Sequence, residues 1–227
     1  MQCPWDRPET VAGFAASPPN EALVQFAAAE LTRLGQATAV DIGCGAARNG
    51  VPLAGAGWRV FGADDSMPML QAGLKRAREA GVAGRCRFVQ ASMDRLPFRA
   101  GAADLVIAHG IWNLARSAAE FRRAVLEAAR VARAGATVFV FTFSRNTLPP
   151  DAPPVAGEPF VFTQFSGQPQ CFLTESQLVA ELGEAGFDPD PGVPLRELNR
   201  RPPTAFQMGG PPVIHEGVFR RRPTHRP

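Results

Sequence analysis

The sequence has no tyrosine and a single lysine, Lys75. A catalytic phenol is excluded, and amine catalysis would rest on that one side chain. Histidine is also scarce, at three. The four cysteines, Cys3, Cys44, Cys86 and Cys171, lie far apart with no Cys-x-x-Cys pair and no nearby His. That is neither a zinc pattern nor a disulfide framework, so no metal site is expected. No apolar run approaches the roughly 20 residues that cross a bilayer. The start, Met1-Gln2-Cys3-Pro4-Trp5-Asp6, has no basic region followed by an apolar one, so no secretory signal is expected and the cytoplasm is the expected place. A net charge of +3 and a pI near 9.0 hint at nucleic acid. The excess is local, however: Arg220, Arg221, Arg222 and Arg226 all fall in the last eight residues. A short basic tail is usually solvated, so nucleic-acid binding is not expected.

What is present is a chain of 227 residues, 45% of them apolar. That suits one α/β domain with additions. Its organising stretch is Asp41-Ile42-Gly43-Cys44-Gly45-Ala46-Ala47-Arg48-Asn49, which follows the apolar run Ala37 to Val40. Glycines reach positive φ and let a ligand approach the backbone closely, and a following helix offers free N–H groups at its start. A second apolar run ends at Asp64, where an acid suits the two hydroxyls of a ribose. Arg48 stands where the third glycine of a dinucleotide fingerprint falls, and Asp41 would repel a pyrophosphate. A carboxylate there favours a cationic amino group. The pair points to a ligand with an amino-acid end and an adenosine end.

Periodicity predicts helices over residues 21–34, 47–54, 66–80, 117–133 and 175–185. It predicts strands over 37–42, 58–63, 86–90, 104–108 and 137–143. The alternation argues a doubly wound, mainly parallel sheet with helices on both faces. Two further strands, 193–198 and 213–219, would form an antiparallel hairpin at one edge and bring the sheet to seven. Residues 144–172 are rich in proline and phenylalanine, and so long a loop in a compact domain is usually functional. The division expected is an N-terminal lid segment and helix (1–36), a main domain (37–219) with a cap insertion at 144–172, and a basic tail (220–227).

Asp41 to Gly45 resembles motif I of class I S-adenosylmethionine-dependent methyltransferases. The segments Val60 to Leu70, Phe88 to Phe98 and Asp104 to His109 resemble the three motifs that follow it. Arg48-Asn49 is similar to the same turn in some tellurite-resistance methyltransferases. The resemblance implies a Rossmann-like methyltransferase fold, S-adenosyl-L-methionine as cofactor and methyl transfer as activity. It implies that Asp41, Gly43, Cys44 and Gly45 hold the methionine part and that Asp64 takes the ribose hydroxyls. Asp65 and Met69 would border the adenine, Ser92 and Met93 its edge and face, and Ala108 and His109 would lie under the sulfonium. Two departures stand out: Ala47 occupies the usual third glycine, and Ser92 a usual aspartate.

On the acceptor side the residues leave alternatives open. His109 contacts cofactor or substrate, acts as a general base, or bonds a neighbouring loop. Trp112 and Asn113 floor a substrate pocket or fill core. Arg145 pairs an anionic substrate or stays at the surface. Trp5 and Phe14 form a lid, and Phe160, Phe162 and Phe165 a cap, or each packs singly. The expected acceptor is a small-molecule nucleophile. RNA or protein methylation through the basic tail, and a cofactor-binding module without turnover, are the other readings. Oligomeric state is left open.

Overall fold

The computed structural model of the protein describes residues 4–200 and 211–223. Five parallel strands make the centre of the sheet: β1 (Thr38–Ile42), β2 (Arg59–Asp64), β3 (Cys86–Gln90), β4 (Ala103–His109) and β5 (Ala132–Phe143). Their order is β3-β2-β1-β4-β5. The winding reverses between β1 and β4, and in open α/β sheets a ligand binds outside the carboxyl ends of the strands at such a point.

The helices start where local chemistry tells them to. The Asn20 side chain accepts from the Leu23 N–H at the start of α2 (Glu21–Leu34). Ser66 does the same for Met69 at α4 (Met67–Glu79), and Ser117 for Glu120 at α5 (Ala118–Val131). Thr174 and Gln177 form a reciprocal capping box at α6 (Glu175–Glu184). α2 and α3 (Gly50–Ala56) bury Leu23, Ala27, Val51 and Leu53 against one face of the sheet. α5 and α6 bury Phe121, Val125, Leu178 and Leu182 against the other. Each such fully buried large side chain is worth roughly 1.5–3 kcal/mol over leaving it exposed.

Several sequence expectations need correction. The predicted helix over 47–54 begins at Gly50, because Ala47 takes a left-handed φ of +55° and belongs to the turn. The helix expected to run to 133 stops at Val131. Gly135 lies inside β5, where φ +75° accompanies a register shift opposite Ala103 and Leu105. The N-terminal lid segment, where no helix is predicted before residue 21, contains a helix, α1 (Pro8–Ala16), which presents no buried residue. The sheet has eight strands rather than seven. The extra one is β8 (Phe187–Pro189), too short to leave an alternating pattern. The strand expected over 193–198 shrinks to β9 (Arg196–Leu198), which pairs antiparallel with β10 (Ile214–Arg221) as the expected hairpin. β10 lies antiparallel between β5 and β8.

The insertion is tied to the body. Its short hairpin joins β6 (Val161–Phe162) to β7 (Gln170–Cys171). Phe160, Val161 and Cys171 enter the main core, while Phe162, Phe172 and Leu148 make a small core of their own. The described part of the expected tail, residues 220–223, is tied to the body as well. Arg220 and Arg221 are in β10, Arg220 pairs with Asp190 at 2.6 Å, and Arg222 pairs with Asp188 at 2.7 Å. Arg221 donates to the carbonyls of Ala185 and Gly186. Cys3 and Arg226 lie outside the described residues.

Candidate active site

A cleft of about 330 Å³ opens at the carboxyl ends of β1, β2 and β4. Gly43 and Gly45 form one wall, with φ of +65° and +51°. A Cβ on Gly43 would stand 2.5 Å from the Ile111 side chain, another wall residue, so this position admits only glycine. The Asp64 carboxylate ties the turn to the second strand: it accepts from the Gly45 N–H at 2.8 Å and from the Ser66 N–H at 2.9 Å. Burial raises the Asp64 pKa, and the two N–H donors partly offset this.

Asp65, Met69, Ser92 and Met93 line the same cleft. The Ser92 hydroxyl donates to Asp94, which Arg123 holds at 3.0 Å. Burial raises the Asp65 pKa, with the charges of Asp94 and Glu120 adding to it. Trp5 and Phe14 close one side, packed edge to face at 5.8 Å and both more than a third exposed. Ser66 donates to the Trp5 carbonyl and to the Asp6 carboxylate. Arg76 donates to the carbonyls of Ala15 and Ser17. The N-terminal segment is thus strapped over α4 by polar bonds rather than by buried apolar area.

His109 is on the wall, stacked on Phe141 at 4.1 Å and 9°. Its Nδ1 lies 3.3 Å from an Arg48 nitrogen and its Nε2 3.3 Å from the Asn20 amide nitrogen. Both neighbours are donors, since the Asn20 carbonyl oxygen already caps α2 and its amide donates to Glu216. Burial, reinforced by the Arg48 charge, depresses the ring to about 3, so it is neutral. A neutral imidazole has one lone pair, and here protein donors compete for it. This geometry does not leave His109 a free basic nitrogen, which corrects the general-base alternative.

Asp41 is 2% exposed and off the cleft wall, on the α2/α3 side of the sheet. Burial pushes its carboxyl up to about 7, the Asp64 charge adds to this, and Arg48 opposes it. Among the described residues no donor comes within hydrogen-bond distance of that carboxylate. Cys44 and Ala108 are also buried behind the wall. These three side chains lie behind the cleft wall and support the turn and strand end from beneath.

The acceptor-side expectations fare differently. Trp112 is fully buried and packs on Phe121, and Asn113 is buried beside it, so neither floors the cleft. Arg145 donates to the carbonyls of Leu148, Pro149, Pro150 and Ala152, with its guanidinium 4.8 Å over Phe162. It organises the insertion rather than awaiting an anion, and Phe162 is core, not wall. Sequence reasoning missed Ile111, Leu114, Arg116 and Glu120, which do line the cleft. The glycine at 43 was the available signal for a bulky neighbour such as Ile111. The described residues hold no group of three or more His, Cys, Asp or Glu placed to bind a metal. They also hold no helix long and apolar enough to cross a membrane.

The donor set suits an adenosyl amino acid. The positive-φ glycines at 43 and 45 and the Asp64 carboxylate on the cleft wall are what its ribose end would meet.

Residues 40–140 match a family model described as a methyltransferase domain. The ubiquinone/menaquinone biosynthesis C-methyltransferase UbiE of Sinorhizobium fredii is 39% identical over 82 residues, covering 36% of this chain and 30% of its own. The protein of the same name from Pseudomonas entomophila is 31% identical over 152 residues, covering 60% and 58%. The chain thus spans about a third of the length of the first of these curated relatives. A Methanosarcina mazei structure titled as a SAM-dependent methyltransferase has a TM-score of 0.67 at 20% identity, covering 83% of this chain and 93% of its own. A Burkholderia thailandensis 1,6-didemethyltoxoflavin-N1-methyltransferase, solved with that compound and S-adenosylhomocysteine, has a TM-score of 0.63 at 19% identity, covering 98% and 93%. At such identities the solved structures speak for the fold.

Proposed function

We propose that the protein, whose residues 40–140 match a methyltransferase-domain family model, is a class I S-adenosylmethionine-dependent enzyme that moves a methyl group from S-adenosyl-L-methionine to a small-molecule nucleophile by direct displacement. The observation that carries this reading is Asp64, a rim carboxylate fixed by two backbone donors beside Gly43, where no side chain fits. The cofactor supplies a methyl group already made electrophilic by its sulfonium. The protein's part is alignment and exclusion of water. Gly43 and Gly45 let the ligand lie on the backbone, and Asp64 takes the ribose hydroxyls. Asp65, Met69, Ser92 and Met93 enclose the adenine. His109 and Gly110 border the sulfonium end, with His109 as a neutral wall. Trp5 and Phe14 act as a lid.

A cleft of about 330 Å³ is at the small end for ligand pockets. It favours a compact acceptor, admitted as the lid moves. The tail arginines argue against a polymer acceptor, because Arg220 and Arg222 are already paired with Asp190 and Asp188. The cytoplasm is the proposed location.

Incubation with S-adenosylmethionine labelled in the methyl group tests the reading. Label is expected in low-mass product from a metabolite extract and absent from RNA and protein fractions. Label confined to RNA or protein would overturn the small-molecule reading, and no transfer to any fraction would favour a binding module.

A further inference from the structure

We propose that residues 4–16 swing as one body on residues 17–20, and that Arg76 on α4 is the latch that holds them shut; this deepens the reading above by naming what controls entry to that cleft. The segment lies along α4 and is held near both ends of that helix. At its start, the Ser66 hydroxyl bonds Trp5 and Asp6. In its last turn, Arg76 donates through Nη1 to the Ala15 carbonyl at 3.0 Å and through Nη2 to the Ser17 carbonyl at 3.2 Å. Those two carbonyls are at the C-terminal end of α1, where a helix dipole favours a cation. Little apolar burial backs these bonds, since no residue of the 3-10 turn Pro4–Asp6 or of α1 is buried. An element held in this way opens at low cost compared with the core.

Asn20 makes a fixed pivot. Its N–H donates to Asn49, its side-chain oxygen accepts from Leu23 and its amide donates to Glu216. Next to it, Arg48 holds the Pro18 carbonyl at 3.1 Å. Between this pivot and the end of α1 stand only Ser17, Pro18 and Pro19. The prolines fix their φ, so the motion is confined to a few torsions at the end of an element. The turn at 4–6 travels with α1, because Trp5 packs on Phe14. Both rings are on the cleft wall, and a Cβ on Gly45 would stand 3.9 Å from the Phe14 ring. Swinging the segment off α4 therefore removes one side of the cleft, and Arg76, which is not on the wall, sets how often that happens.

A nine-residue helix does not keep its shape alone in water. Once off α4 it unwinds, so amide exchange over residues 8–16 counts the openings. The experiment compares the ligand-free wild-type chain with R76M, which keeps the stem and loses the donors, and with R76K, which keeps the charge, after melts verify that all three are folded. Exchange over 8–16 is expected to rise about 10–100-fold in R76M, the loss of charge-assisted bonds. It is expected to rise less in R76K and to stay unchanged across α2 and α4 in both. Stopped-flow measurement with S-adenosylhomocysteine is the second readout. A ligand that enters only the open form binds at a rate scaled by the open fraction. R76M is therefore expected to bind and release it about tenfold faster or more, with affinity within about threefold of wild type. Exchange over 8–16 that is unchanged in R76M, or that rises equally across α4, overturns the latch. Faster exchange with unchanged ligand rates overturns the control of entry. A wild-type chain that does not bind S-adenosylhomocysteine sinks the methyltransferase reading, while the exchange result still decides the latch.

Discussion

At the scale of the residue, position 47 shows how far the turn can be read. The family resemblance places a glycine there, the chain has Ala47, and the backbone still adopts φ +55°. An L-residue in that region costs about 1–2 kcal/mol. Ala47→Gly should therefore stabilise the chain by roughly 0.5–1 kcal/mol after the extra freedom of the unfolded glycine is subtracted. Urea melts check this, and a loss of stability would show that the Ala47 methyl is needed as packing. Asp41 makes a second prediction. Its carboxyl sits at about 7 when folded against 3.8 ordinarily, so the folded chain holds a proton that the unfolded chain releases. This group's contribution to stability is intact below about pH 4, falls as pH rises toward 7, and is flat above. The change is on the order of 4 kcal/mol. Asp41→Asn should abolish that slope. Melts at pH 5 and pH 8 that differ equally in both proteins would contradict the account.

At the scale of the element, the parallel strands and their helices were legible because apolar periodicity and caps agree. Asn20, Ser66, Ser117 and Thr174 all cap where the sequence places a helix start. What was illegible had no periodic signal. α1 buries nothing, so its residues carry no stripe. β8 is three residues long. The fate of Arg145 was equally hidden, because a guanidinium that bonds four carbonyls of its own loop looks in sequence like any surface arginine. Arg145→Ala should leave those carbonyls unpartnered and loosen residues 144–155. The expected cost is about 1–3 kcal/mol, with faster amide exchange confined to that loop. Unchanged exchange there would show that the insertion is held by its phenylalanines alone.

At the scale of the whole molecule, the site was legible where backbone makes it and illegible where packing does. Gly43, Gly45 and Asp64 could be read from spacing, and they line the cleft as expected. Trp112, Asn113, Arg145 and Phe162 could not be sorted into wall or core, because that depends on which face the loops turn inward. Arg220 and Arg222 looked in sequence like free tail charges, since their partners Asp190 and Asp188 lie 30 and 34 residues away in the chain.

The central claim is that a rim carboxylate and a glycine turn at the switch point of the sheet hold an adenosyl amino acid. Calorimetric titration of S-adenosylhomocysteine into the wild-type chain and into Asp64→Ala, with folding of both verified by their melts, measures it directly. The account predicts one-to-one binding to the wild type and a loss of about tenfold or more in the variant, as expected for charge-assisted hydrogen bonds to a ribose. Equal affinity of the two proteins, or no binding to the folded wild type, would contradict it.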